Sequence, residues 1–140
     1  MMTSAYQTAN LAGIPALEND YAQGADWKPI RHHFGIQAFG VNAYVARDDG
    51  STVIDEHTEV DDLGTGHEEL YLVASGHATF TVAGDEIDAP AGTLVFVRDP
   101  AVTRSAVARE AGTTVVAIGA QPGTAFKPSD WEHRYTIASR

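Results

Sequence analysis

The chain has 140 residues, of which 44% are hydrophobic, and a formal net charge of −10 from 19 acidic and 9 basic side chains. This length suits one domain with a substantial core, and the acidic excess argues against a nucleic-acid partner. The absence of cysteine excludes disulfides and thiolate chemistry. No apolar run approaches the roughly 18 residues of a membrane span, and the start of the chain lacks the features of a signal peptide. We therefore expect a cytoplasmic protein with no membrane partner.

Residues 1–35 are predicted to form an N-terminal arm that lies over the body of the protein. Their composition is mixed, and "GIPALENDYAQG" is a candidate short helix. Neighbouring residues of an extended chain point to opposite faces, so "RHH" at Arg31–His33 is interpreted as a solvated entry to the first strand rather than as one site.

From residue 36 the sequence consists of short runs rich in valine, threonine, tyrosine and phenylalanine. Turn-forming stretches such as "RDDGS", "DDLGTG" and "APAG" separate these runs, and this spacing is typical of an all-β sandwich or barrel. We predict a barrel over residues 36–122. Its strands are expected at residues 39–47, 51–59, 68–74, 77–83, 85–89, 93–98, 103–109 and 112–120.

The strand in "HEELYLVAS" is substantially apolar on both faces. Side chains two apart share a face, so Tyr71 and Val73 lie opposite Leu70 and Leu72. Such a strand needs a covering layer on each side. We predict a homodimer, with the N-terminal arm covering a barrel face or crossing to the partner.

Residues 123–140 are predicted to form a C-terminal arm. Ser129 is a candidate N-cap with Glu132 three residues later, which is the spacing of a capping box. Trp27 and Trp131 are expected to pin the two arms to the barrel.

Residues 50–119 resemble a cupin domain, a double-stranded β-helix or jelly-roll barrel. The first cupin motif ends in a glutamate and, after six further residues, a glycine, as Glu69 and Gly76 do here. "GDEIDAPAG" is similar to the hairpin between the two cupin motifs, and "TLVFVRDPAVTR" is similar to the strand and turn of the second motif. The resemblance implies two antiparallel sheets with a site on these strands.

Most of the metal ligands that the resemblance implies are missing. The His-x-His of the first motif falls on "DDLGTG", which has no histidine, and the histidine of the second motif falls near Thr103. Only Glu69 stands at its expected place. We therefore expect a small-molecule site without a cofactor, and a divalent metal is the alternative.

A rebuilt metal site is available on the neighbouring segments. His57 and Glu59 are two apart on one strand, and His67 and Glu69 are two apart on the next, so all four can face one interior if both segments are extended. Imidazole and carboxylate suit iron, manganese, nickel or zinc. The competing interpretation is a polar pair at a strand end, with His67 as a solvated turn residue.

We predict that the ligand site surrounds Glu69 inside the barrel, with Glu59 and His67 near its mouth. Without a metal, the carboxylate of Glu69 needs an arginine such as Arg104, or a hydroxyl, or it keeps its proton. Arg98 and Arg104 bracket the place of the missing histidine, where either can bind a carboxylate or serve at the surface. The predicted ligand-binding residues are His57, Glu69, Tyr71, Phe96, Thr103 and Arg104.

Three functions follow from these observations. The first is a cupin that binds a small molecule, and the second is a metal-dependent cupin enzyme of dioxygenase, isomerase or lyase type. The third is a barrel kept chiefly as a dimerising or stabilising module. The missing histidines favour the first over the second. Polar side chains inside the barrel weigh against the third, because each buried group without a partner costs about 1–3 kcal/mol. Neither the catalytic residues nor the ligand can be named from the sequence.

Overall fold

The computed structural model describes residues 4–17, 24–60 and 65–128. Within these ranges the regular secondary structure is almost entirely β, which confirms the predicted fold class. A 3-10 helix (Leu11–Gly13) and one short helix, α1 (Ile30–Phe34), accompany the strands. The strands are β1 (Ala25–Lys28), β2 (Gly40–Ala46), β3 (Thr52–His57), β4 (Glu68–Ser75), β5 (His77–Val82), β6 (Asp85–Pro90), β7 (Leu94–Val97), β8 (Arg104–Ala108) and β9 (Thr114–Ala120).

The strands form two antiparallel sheets that face each other. The five-stranded sheet has the order β1-β2-β9-β4-β7, and the four-stranded sheet has the order β3-β8-β5-β6. Every predicted strand is present, with ends shifted by no more than two residues. Turns with glycine in the left-handed region, such as Gly76 at φ 80° and Gly84 at φ 84°, connect consecutive strands.

The core lies between the two sheets. Tyr71 and Val73 of β4 face Ala78 and Phe80 of β5, and all four are at most 1% exposed. The rings of Tyr71 and Phe80 are 5.4 Å apart between centroids. The face of β4 that carries Tyr71 and Val73 is therefore the inner one, and loss of a ring such as that of Phe80 would cost about 3–5 kcal/mol.

The N-terminal segment is more integrated than an arm. β1 pairs with β2 at the edge of the five-stranded sheet, and Trp27 on β1 is completely buried. The prediction of an extended entry at Arg31–His33 is wrong, because these residues belong to α1. Gly35 ends this helix in the left-handed conformation, with its N–H bonded to the carbonyls of Arg31 and His32. The division into arm, barrel and arm stays a prediction.

Some sequence predictions lie outside the described residues. These are the capping box at Ser129 and Glu132, the position of Trp131, part of the candidate helix in "GIPALENDYAQG", and most of the "DDLGTG" loop. Within the described ranges, no helix has the length and apolar character that crossing a membrane requires.

Candidate functional site

Strands from both sheets bring charged side chains together at one end of the barrel. His57 is the last residue of β3 and Arg104 the first of β8, and their Cα atoms are register partners in the four-stranded sheet. Glu69 lies at the start of β4 in the opposite sheet. The site therefore bridges the two sheets at this end of the barrel.

Arg104 and Tyr71 both hold the carboxylate of Glu69. The side chain of Arg104 is 0% exposed, and its Nη1 donates to Glu69 Oε1 at 3.0 Å. Its Nε donates to the carbonyl of Val102 at 3.0 Å and its Nη2 to that of Asp99 at 3.2 Å. The hydroxyl of Tyr71 donates to the same oxygen of Glu69. Glu69 thus has both of the partners that a site without metal requires.

His57 is held between two acceptors. Its Nε2 lies 2.7 Å from Glu59 Oε2 and 3.9 Å from Glu69 Oε1, and its Nδ1 lies 2.7 Å from the carbonyl of Asp55. Burial acts to lower the pKa of His57, but the hydrogen bonds to Glu59 and Asp55 and the charges of both glutamates raise it to about 9. His57 is therefore an imidazolium at neutral pH, with both nitrogens donating.

Burial also acts on Glu69 and Tyr71. It raises the pKa of Glu69, and the charge of Glu59 adds to this, while Tyr71, His57 and Arg104 oppose it. Burial and the adjacent Glu69 raise the pKa of Tyr71, which stays protonated as a donor. We call His57, Glu59, Glu69 and Arg104 the charge cluster; its two cations and two carboxylates balance.

His67 lies at the mouth of the charge cluster. Its Nδ1 is 3.8 Å from Glu59 Oε1, and its ring centroid is 5.8 Å from that of Phe126. The structure therefore gathers all four of the residues that the sequence nominated as metal ligands. His67 is not the freely solvated turn residue of the competing interpretation.

Comparison with solved structures places this arrangement in a known fold. The chain is similar to a sugar phosphate isomerase of the cupin superfamily from Silicibacter pomeroyi, with 17% identity, coverage of 81% of this chain and 74% of the other, and a TM-score of 0.64. It is also similar to a cupin protein from Bacteroides fragilis, with 17% identity, coverage of 91% and 93%, and a TM-score of 0.63. The chain has the cupin fold. A third similar structure is that of Streptomyces PAC13 with uridine, with 15% identity, coverage of 91% and 87%, and a TM-score of 0.60.

The comparisons support the predicted cupin fold through structure and not through sequence similarity. No protein-family model matches the chain, and no curated protein matches it in sequence. At 15–17% identity the three similar structures show the fold alone, so the chemistry has to be argued from this chain's own side chains.

The donor set of this site fits a divalent metal ion at one position. Ligand atoms of His57, Glu59 and Glu69 all lie within 4.8 Å of one another. Two ligands that are each about 2.1 Å from an ion can be about 4.2 Å apart, and His57 Nε2 meets this limit with both carboxylates. The bond between Nδ1 and the Asp55 carbonyl orients the ring as metal-bound histidines usually are. An ion would take the place of the proton between His57 and Glu59.

Two of the predicted ligand-binding residues do not line the interior of this cupin barrel. Val95 and Val97 are the buried residues of β7, so Phe96 between them points outward and is 47% exposed. The guanidinium of Arg98 lies 5.0 Å from the centroid of its ring. Thr103 is exposed just before β8. The prediction of these two residues as cavity lining is therefore wrong in placement.

Sequence reasoning also missed two residues near the charge cluster. Asn42 on β2 is 8% exposed, and its Oδ1 accepts no hydrogen bond within the described part of the chain. Phe126 packs against His67 and Gly40. An asparagine within the apolar strand "GVNAYVA" was the available signal for the first, whereas no signal marked the second.

Proposed function

We propose that the protein binds a small polar molecule inside the cupin barrel, next to the charge cluster. The observation that carries this proposal is the ion pair of Arg104 and Glu69, with a guanidinium that is 0% exposed. A buried ion pair is often no more stabilising than apolar residues of the same volume, so a stable fold alone does not call for one. Recognition of a polar ligand gives these charges a use.

The similar structures support the proposal in general terms. One is that of a sugar phosphate isomerase, and another was determined with uridine. Both names point to small hydroxylated compounds as ligands of proteins with this fold. The cytoplasmic location stays a prediction.

Binding to a panel of small metabolites, measured by thermal shift and then by calorimetry, tests the proposal. Glu69→Gln and His57→Gln are expected to weaken binding of any compound that the wild-type protein binds by tenfold or more, because each change removes a charge at the site. Glu86→Gln on β6 and His33→Gln on α1 alter exposed residues and serve as matched controls. Binding that is unchanged in both site variants would place the ligand elsewhere.

A metal-dependent enzyme is the second candidate function. The observation that favours it is the close grouping of ligand atoms from His57, Glu59 and Glu69. When bound, the ion would act as a Lewis acid or orient the substrate. Elemental analysis of untagged protein separates the candidates: about one metal per chain, lost in His57→Ala and kept in His33→Ala, supports the enzyme, whereas metal-free protein that binds a metabolite supports the first function.

We also propose that two copies associate through the outer face of the five-stranded sheet. Apolar side chains from the adjacent strands β9, β4 and β7 form this face, which we call the outer apolar face. Two of them, Leu94 and Phe96, are 61% and 47% exposed. Covering them would stabilise the assembly by about 1–2 kcal/mol each. An apolar face repeated on both copies suits a two-fold interface. The face consists of Leu70, Leu72, Leu94, Phe96, Val116 and Ile118.

Light scattering at micromolar concentration tests the association. We expect a dimer for the wild-type protein and a monomer for Phe96→Glu. Thr81→Glu, on the four-stranded sheet, adds the same charge elsewhere and is expected to leave the dimer intact. Because each copy carries a net charge of −10, salt should strengthen the association by screening. A wild-type monomer would refute it.

A further inference from the structure

A strip without side chains lies beside the charge cluster on the inner face of the five-stranded sheet. Gly40 on β2, Gly119 on β9 and Glu69 on β4 are register partners and form one row across three strands. Two of the three positions, Gly40 and Gly119, carry no Cβ, and we call them the glycine strip. Since neighbouring strands are about 4.8 Å apart, the strip extends roughly 10 Å from Glu69.

The next row of the same face ends in an unused hydrogen-bond acceptor. Tyr71, Ala117 and Asn42 are register partners on the same three strands. Tyr71 packs on Phe80 of the opposite sheet, which shows that this row faces the interior. Asn42 is 8% exposed and its Oδ1 accepts no hydrogen bond within the described residues. A buried acceptor without a partner destabilises a protein and calls for an explanation such as a ligand.

Phe126 covers the far end of the strip. A Cβ built on Gly40 would lie 3.3 Å from Cζ of Phe126, so the ring occupies the space that a side chain at position 40 would fill. The ring also approaches His67 at the mouth of the site. The strip thus has Glu69 at one end, an aromatic ring at the other and an amide acceptor along its side.

The charge balance of the site selects against an anionic ligand. Arg104 Nη1 lies 3.0 Å from Glu69, and His57 Nε2 lies 2.7 Å from Glu59. The buried guanidinium is therefore already paired, and a phosphate or carboxylate group would meet the carboxylates of Glu69 and Glu59 with no unpaired arginine or lysine beside them among the described residues. Asn42 offers a neutral acceptor, which favours a hydroxyl or an N–H group.

We propose that Asn42, the glycine strip and Phe126 form the recognition subsite for an uncharged, hydroxylated ring compound. Asn42 Oδ1 accepts from a ligand hydroxyl or N–H, the polar edge of the ring reaches the Glu69 end, and Phe126 packs on the ring face. This inference rests on the proposed small-molecule binding and specifies its ligand class. Neutral monosaccharides and nucleosides share this chemistry.

Calorimetric titration with neutral monosaccharides and nucleosides, each beside its phosphate ester, tests the ligand class. We expect one neutral class to bind, with the phosphate ester at least tenfold weaker. A phosphate ester that binds as tightly as its neutral parent would overturn the inference and leave the proposed function intact. If none of these compounds binds the wild-type protein while another metabolite does, the inference falls and the proposed function stands.

Asn42→Leu tests the subsite itself, because leucine is of similar size and has no acceptor. We expect the thermal midpoint to rise, since an unpartnered buried oxygen is removed, and ligand affinity to fall tenfold or more. Phe126→Ala should weaken binding by a similar factor, with Tyr6→Ala as an exposed aromatic control. Unchanged affinity in Asn42→Leu, or a lower midpoint together with lost binding, would assign Asn42 a structural role and overturn the inference.

Discussion

Replacement of Arg104 by methionine isolates the energetic role of the buried ion pair. Methionine retains most of the length and apolar packing of the arginine stem but removes the guanidinium. The change leaves Glu69 Oε1 with the Tyr71 hydroxyl and without the guanidinium. It also removes the Arg104 donors to the carbonyls of Val102 and Asp99, of which the Asp99 carbonyl still accepts from the N–H of Val102. Glu59 remains nearby as a second negative charge.

The expected loss of stability follows from these contacts. Removing one partner of a buried ion pair costs about 3–5 kcal/mol, because the other charge stays buried and uncompensated. The side chain of Glu69 is only 14% exposed, so water compensates little of the loss. In a chain of this size the thermal midpoint should fall by roughly 10–15 °C.

Urea denaturation followed by circular dichroism measures the effect directly. Arg104→Met with Glu69→Gln should recover most of the lost stability, because the buried negative charge goes too while an amide oxygen still accepts from Tyr71. Arg109→Met, at an exposed arginine on the surface, is the control and should change stability by no more than about 0.5 kcal/mol. A loss below about 1 kcal/mol in Arg104→Met, or no recovery in the double variant, would refute the reasoning.

Two further predictions concern pH and backbone conformation. Since His57 has a pKa of about 9 in the folded state against 6.5 as its ordinary value, its stabilisation is fully present below pH 6.5 and is lost as pH rises through 9. The shift corresponds to about 3 kcal/mol of stability. Because the side chain is 29% exposed, screening by solvent reduces this to about 1–2 kcal/mol. Denaturation at pH 6 and pH 9.5 should show this loss in the wild-type protein and not in His57→Gln. Gly76→Ala should destabilise by about 3 kcal/mol or more, because φ is 80° and the new Cβ would lie 2.6 Å from Cα of Thr113. Gly84→Ala, with φ 84° and open space around it, should cost only about 1–2 kcal/mol, and equal losses in the two variants would contradict the steric explanation.

The strands and the position of Glu69 could be predicted because their signals are local. Turn residues bracket each strand, and alternation places Tyr71 and Val73 on the buried face. The two-residue spacing of His57 and Glu59 likewise predicted that their side chains lie on the same side of the chain. The structure brings them into contact at one end of the barrel, where β3 ends.

The errors arose where local pattern leaves a choice open. Every residue of β7 is apolar, so parity alone could not decide whether Val95 or Phe96 points inward. β1 is short and owes its formation to pairing with β2 rather than to its own composition. The row that joins Gly40, Gly119 and Glu69 depends on register between strands far apart in sequence, which a single sequence does not reveal.

Arg104 links the two candidate functions, because its charge competes with a metal ion for Glu69. An ion shared by His57, Glu59 and Glu69 would lie close to a guanidinium whose Nη1 is 3.0 Å from one of its ligand oxygens, and like charges at such distances repel strongly. Arg104→Met should therefore bind Mn²⁺ or Zn²⁺ at least tenfold more tightly than the wild-type protein, even though it is less stable without metal. Added metal should then raise its thermal midpoint by mass action. Calorimetry measures this difference in affinity. Equal or weaker metal binding in Arg104→Met would show that the charge of Arg104 does not compete with a metal ion for Glu69.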